Sequence, residues 1–157
     1  MTSSQRITVL LAEDHKAVRK ALRVLLDAEN DLDVVGEAKN GWQAVQMTRS
    51  LRPDVVVMDI AMPLLNGLDA TQQIHQDFPD TKVLILSAHR DEAYVEKAVA
   101  FGAVGFLLKQ VSSDYLPKAI REAKKGNTVF GPSITKPCSV PSNFPGRGDF
   151  TPGLQPR

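Results

Sequence analysis

The chain has 157 residues, 43% of them hydrophobic and 24% charged, with 19 Lys and Arg against 18 Asp and Glu for a net charge of +1. Such averages describe one compact globular core with at most an appendage. No apolar run approaches the ~18 residues of a membrane span, MTSSQRITVL lacks the layout of a signal peptide, and a single Cys excludes a disulfide framework or cysteine-rich zinc site. A soluble, cytoplasmic protein with no membrane partner is expected, and its near-zero charge leaves no electrostatic footprint for non-specific nucleic-acid binding.

In chain order, Ile7–Leu11 (ITVLL) is a continuous apolar run that ends in Glu13-Asp14. Val18, Ala21, Leu22 and Leu25 then follow the i, i+3, i+4, i+7 spacing of a helical stripe. Asp33–Ala38 is a weaker strand candidate, and Ala44, Val45 and Met47 mark a second helix after Asn40-Gly41. Val55–Met58 (VVVM) runs straight into Asp59. Met62-Pro63 and Asn66-Gly67 read as loop-shaping residues, Pro fixing φ and Gly permitting φ > 0.

The spacing predicts a third helix over Leu68–Phe78, ended by Pro79, and a strand at Val83–Leu86 (VLIL) that ends at Ser87. A fourth helix covers Ala93–Phe101, with Gly102 in the stop position. The run Val104–Leu108 precedes Lys109. Ser112 or Ser113 caps a fifth helix carrying Leu116, Ala119, Ile120 and Ala123 and closed by Gly126, with Pro117 shifting or kinking its start. Residues 131–157 hold six of the ten Pro and four of the ten Gly, so no periodicity survives there and the stretch reads as a disordered tail. Without that tail the remaining 130 residues carry 16 basic against 17 acidic side chains.

Continuous β-branched runs suit strands covered on both faces, as in a parallel sheet. Five strand–helix repeats therefore give an α/β fold, a (βα)5 doubly wound parallel five-stranded sheet. In such sheets ligands gather at the carboxyl ends of the strands, near the switch in strand order. Those ends carry Glu13 and Asp14, Asp59, Ser87 and Lys109.

Three carboxylates brought together repel unless a cation offsets them. Lys109 and a hard divalent ion, Mg2+, meet that need, because Mg2+ takes oxygen ligands and keeps several waters. A nucleophilic carboxylate, a cation, a hydroxyl and a lysine are what in-line phosphoryl transfer onto Asp59 requires. Backbone N–H groups after Asp59 and Ser87 would help neutralise the phosphoryl oxygens.

These residues resemble the receiver domain of two-component response regulators, over roughly Ile7 to Lys125. The elements that match are the acidic pair in LLAED, VVVMDIAMP around Asp59, Ser87 with Ala88, and FLLK ending at Lys109. Ser87 and Lys109 follow Asp59 by 28 and 50 residues, spacings that fit the family. The resemblance implies a flavodoxin-like receiver fold, with the response regulatory domain over residues 5–127 and the Pro/Gly-rich tail, or a remnant linker, over 128–157. It implies that Asp59 is phosphorylated by a partner histidine kinase. Asp14, Asp59 and the Ala61 carbonyl would bind Mg2+, and Glu13 would assist. It further implies that Ser87 and Phe106 form a switch, which remodels the face of the fourth helix, fifth strand and fifth helix for a downstream protein or a second copy of the chain. Such a protein is no enzyme beyond its own phosphotransfer and dephosphorylation.

Other readings of single residues remain. Asp14 also suits a helix cap, Lys109 a strand-end lysine with its head in water, and Ser87 a turn hydroxyl. His15, His75 and His89 lack metal-ligand spacing to another His or Cys, so surface roles are expected. His89, two residues after Ser87, is the one placed to tune dephosphorylation. Trp42 reads as core or partial surface, and Cys138 as an incidental thiol.

AKKGNTVFGPSI resembles the receiver–linker junction of the NarL/FixJ branch, which makes a DNA-binding regulator the second reading. Only five residues follow Pro152, too few for a helix-turn-helix, so DNA binding by this chain alone is not expected. A haloacid-dehalogenase-like phosphatase would need an Asp where Ala61 stands. A Rossmann oxidoreductase would need a G-x-G-x-x-G after the first strand.

Overall fold

The computed structural model describes residues 6–88, 92–109 and 112–130. The elements are β1 (Ile7–Ala12), α1 (Lys16–Asp27), β2 (Leu32–Ala38), α2 (Gly41–Leu51), β3 (Val55–Met58), α3 (Gly67–Asp77), β4 (Lys82–Ser87), α4 (Glu92–Ala100), β5 (Gly105–Leu108), α5 (Ser112–Lys124) and β6 (Val129–Phe130). The strands form one sheet in the order β2-β1-β3-β4-β5-β6, and all pairs are parallel.

Because side chains alternate along each strand, the apolar runs feed two cores. Leu10, Ala12, Val56, Met58, Val83, Ile85, Phe106 and Leu108 pack with α2, α3 and α4 through Ala44, Val45, Leu68, Ile74, Val95 and Ala98. Val9, Leu11, Val55, Val57, Leu84, Leu86 and Leu107 pack with α1 and α5 through Leu22, Leu26, Leu116, Ala119, Ile120 and Ala123. Burial on both faces is why the runs read as continuous rather than alternating.

Two details differ from the sequence reading. The sheet has a sixth strand, because Val129 and Phe130 pair with Gly105 and Phe106 beyond the 127 boundary. The buried face of α1 keeps Val18, Leu22 and Leu25 of the expected stripe but not Ala21, which is exposed, and adds Leu26 and Arg19. Arg19 belongs to that face because its guanidinium finds acceptors there, which an apolar stripe does not reveal. As expected, Pro117 lies inside the first turns of α5, which runs from Ser112 through it to Lys124.

Helix ends follow local chemistry. Asn40 caps α2 by accepting from Gln43 N at 2.7 Å, and Asn66 caps α3 by accepting from Asp69 N at 2.9 Å. Gly102 and Gly126, which follow α4 and α5, adopt φ of 107° and 89°. His15, and not Asp14, occupies the cap position of α1, with no side-chain cap bond. The chain crosses between β1 and β3, the switch in strand order, and the carboxyl ends of these two strands lead into Glu13, Asp14 and Asp59.

Candidate functional site

Strand register explains which side chains meet. Ala12 pairs with Met58, and Asp59 N donates to Ala12 O at 2.9 Å, so the acids after β1 and β3 stand side by side. Glu13, Asp59 and Lys109 continue the alternation of Leu11, Val57 and Leu107, all on the α1/α5 side. Contact between them follows: Lys109 Nζ lies 2.8 Å from Glu13 Oε1 and 3.4 Å from Asp59 Oδ1. Ser87 continues Val83 and Ile85, on the same side as Phe106, and pairs with Leu108 next to Lys109.

Glu13, Asp59 and Ser87 are buried polar residues. Burial and the neighbouring Glu13 charge push the Asp59 carboxyl up to about 6, against the pull of Lys109. Burial lowers the Lys109 ammonium, but its hydrogen bond to Glu13 and the charge of Asp59 outweigh that and raise it. Asp14 Oδ1 is buried and accepts no hydrogen bond. A carboxylate oxygen left in that state, beside two further acids, fits a divalent cation that takes oxygen ligands. Ala61, whose carbonyl was expected to join that site, is exposed in the loop two residues past Asp59.

That loop is fixed by close packing. Gly67 N donates to Ile60 O at 2.8 Å. A Cβ at Gly67 would stand 1.9 Å from Asp59 O, and one at Gly41 would stand 2.0 Å from Leu65 O. Gly67 is thus required by close approach at the start of α3, not by the φ > 0 expected of it. The positive φ of this loop falls instead on Leu64, at 70°.

His15, expected in a surface role and indeed largely exposed, and Arg19, which the sequence reading passed over, both reach the acids of the site. His15 Nδ1 lies 3.3 Å from Glu13 Oε2 and 3.4 Å from Asp14 Oδ1, and His15 N donates to Glu13 Oε2 at 3.1 Å. Buried Arg19 donates from Nη1 to Glu13 O at 2.8 Å and from Nε to Glu37 Oε1 at 3.0 Å. The adjacency of His15 to the acidic pair was the available signal. Phe106 is fully buried, with Phe130 of β6 as its partner in the sheet. Trp42 and His75 are exposed, while His89 and Cys138 lie outside the described residues.

Residues 9–121 match the model of the response regulator receiver domain. Among curated relatives, the transcriptional regulatory protein DegU of Brevibacillus brevis is 36% identical over 133 residues. The oxygen regulatory protein NreC of Staphylococcus carnosus is 38% identical over 128. These matches take in 85% and 81% of this chain but 56% and 59% of the relatives, so the chain spans little more than half their length. The signal receiver domain of the putative response regulator NarL from Mycobacterium tuberculosis superposes with a TM-score of 0.76 at 32% identity, covering 78% of this chain and 99% of that one. A LuxR-family two-component response regulator from Aurantimonas superposes with a TM-score of 0.79 at 32% identity, covering 83% and 93%. A family model that matches 9–121, on a parallel sheet with acids at its switch point, establishes that the chain belongs to the response regulator receiver family.

Proposed function

We propose that this chain is a phospho-accepting signalling switch, in which Asp59 takes a phosphoryl group from a histidine kinase. The observation that carries the reading is the convergence of Glu13, Asp59 and Lys109, within 2.8 and 3.4 Å contacts, at the carboxyl edge of the sheet. An Asp59 carboxylate oxygen attacks the phosphorus, the P–N bond to the kinase imidazole breaks, and the imidazole leaves with the bond pair. Lys109 is placed to turn from Glu13 toward the new phosphate and neutralise its oxygens. The Ser87 hydroxyl, at the end of β4, is placed to donate to one of them.

Mg2+ held by Asp14, Asp59 and the Ala61 carbonyl, with Glu13 assisting, would supply the charge that keeps Asp59 ionised and the phosphoryl oxygens neutralised. Ser87 and Phe106 share one side of the sheet, which supports their coupling as a switch. The face read out would be α4–β5–α5, here extended by β6. A cytoplasmic location is consistent with a chain in which, among the described residues, no helix is long and apolar enough to cross a membrane.

The test is labelling with acetyl phosphate in the presence of Mg2+. The wild-type chain should gain one phosphoryl group by intact mass and Asp59→Asn none, while equal labelling of both would remove the assignment. A second reading is favoured by relatives whose names describe transcriptional regulation: the chain is the receiver portion of a DNA-binding regulator, with the domain expected at 5–127 carried on through β6 and the linker following it. Sequencing downstream of the Arg157 codon tests that reading.

A further inference from the structure

We propose that His15 is a further protein ligand of the acidic pocket, making it a mixed nitrogen–oxygen site that takes a first-row transition cation, with Mn2+ as the probe, in preference to Mg2+. The inference rests on the reading of that pocket as a divalent-cation site, and adds which ion the pocket selects.

The geometry is already near that of a ligand set. One ligand atom from each of Glu13, Asp14 and His15 lies within 4.8 Å of the other two. His15 Nδ1 stands 3.3 Å from Glu13 Oε2 and 3.4 Å from Asp14 Oδ1. Adjacent ligands of an octahedral ion with bonds of about 2.1 Å are separated by about 3.0 Å, so only small adjustments are needed. Asp14 Oδ1 is buried without a hydrogen bond, which leaves its lone pairs to a cation.

The main chain from which the imidazole projects is held in place. His15 N donates to Glu13 Oε2 at 3.1 Å, and His15 O accepts from Arg19 N at 2.9 Å in the first turn of α1. Glu13 is held at both ends of its peptide, donating from N to Ala38 O at 3.0 Å and accepting at O from Arg19 Nη1 at 2.8 Å. The His15 side chain is otherwise exposed, with Nδ1 turned toward the acids. An imidazole in a carboxylate pocket discriminates between ions. Mg2+ prefers oxygen and gains little by exchanging a water for nitrogen, whereas first-row transition ions accept imidazole more readily than Mg2+ does, Mn2+ least among them and the later ions increasingly.

The experiment uses the full chain with Mn2+ and Mg2+ alone as probes. Mn2+ affinity is read from the loss of the free-ion EPR signal, and Mg2+ affinity from its competition with Mn2+. His15→Phe should weaken Mn2+ binding about tenfold and Mg2+ binding less than about twofold. Pulsed EPR of the Mn2+-loaded wild type should show coupling to an imidazole 14N nucleus that His15→Phe removes. Absence of that coupling, or equal weakening of both ions, overturns the proposal. Asp14→Asn should weaken both ions; if it weakens neither, the cation-site reading itself fails, independently of His15.

Discussion

Lys109 Nζ meets Glu13 Oε1 at 2.8 Å, an ion pair that joins the end of β5 to the end of β1 past the intervening β3 and β4. Asp59, at the end of β3, receives the same ammonium at 3.4 Å. One lysine therefore offsets two buried acids. Removing it leaves both charges uncompensated, which costs most where water cannot reach them.

Lys109→Met should destabilise the metal-free protein by about 2–4 kcal/mol, somewhat below the range of about 3–5 kcal/mol for a broken buried pair because Lys109 keeps some exposure. Urea unfolding in EDTA checks the value. Mg2+ should then restore more stability to the variant than it adds to the wild type, since the cation replaces the missing charge. Equal Mg2+ stabilisation of the two proteins would show that ammonium and cation do not share the same acids.

Asp59 carries the opposite consequence. Its carboxyl is pushed up to about 6 from 3.8 by burial and by Glu13. The folded state thus holds a proton that the unfolded chain releases, and ionisation above pH 6 costs stability up to about 3 kcal/mol. Asp59→Asn should accordingly be more stable than wild type at pH 7 in EDTA by roughly 1–3 kcal/mol. Below about pH 4, where Asp59 is protonated in both states, the gain should vanish; it should grow between about pH 4 and 6 and level off above. A difference that stays flat across this range would show that charge burial at Asp59 is not the cause.

Much of this site was legible before any coordinates, because strand ends are easy to see when an apolar run stops at a charged residue. Asp59 after VVVM and Lys109 after FLL are of that kind. Two-sided burial was legible too, since Leu84 and Ile85 serve opposite cores from adjacent positions. What escaped depends on contacts distant in sequence. β6 is two residues long and carries no period, so only its pairing with β5 reveals it. Arg19 looks polar until Glu37 and the Glu13 carbonyl are seen to receive it. His15 was judged by its spacing from other His and Cys, whereas its partners are the carboxylates immediately before it.

Gly67 gives a prediction that links packing to the site. A Cβ there would lie 1.9 Å from Asp59 O, 2.8 Å from its carbonyl carbon and 2.9 Å from Ile60 Cα, all backbone atoms that cannot rotate away. Gly67→Ala should therefore cost at least about 2–3 kcal/mol and displace the Asp59 peptide. The chain should also lose Mg2+ affinity beyond what its remaining folded fraction explains. Isothermal titration below the unfolding midpoint checks this. Retained affinity in a destabilised Gly67→Ala would show that the α3 contact is not what sets the position of Asp59.

Leu64 offers the converse case, a residue whose removal should help the fold. It is 84% exposed and held at φ 70° in the loop between Asp59 and α3. A side chain in the left-handed region costs roughly 1–2 kcal/mol, and one so exposed recovers little by burial. Leu64→Gly relieves the strain but adds about 0.5–1 kcal/mol of unfolded-chain entropy to be lost on folding. The net expectation is a gain of about 0.5–1 kcal/mol in urea unfolding. Leu64→Ala keeps the Cβ and should change stability by less than about 0.5 kcal/mol, which separates backbone strain from loss of the apolar side chain. If Ala stabilises as much as Gly, the exposed leucine itself and not its backbone is the unfavourable element. If both substitutions destabilise, Leu64 makes a contact in solution that offsets its strain, and the loop beside Asp59 is held by more than Gly67 and the Asn66 cap.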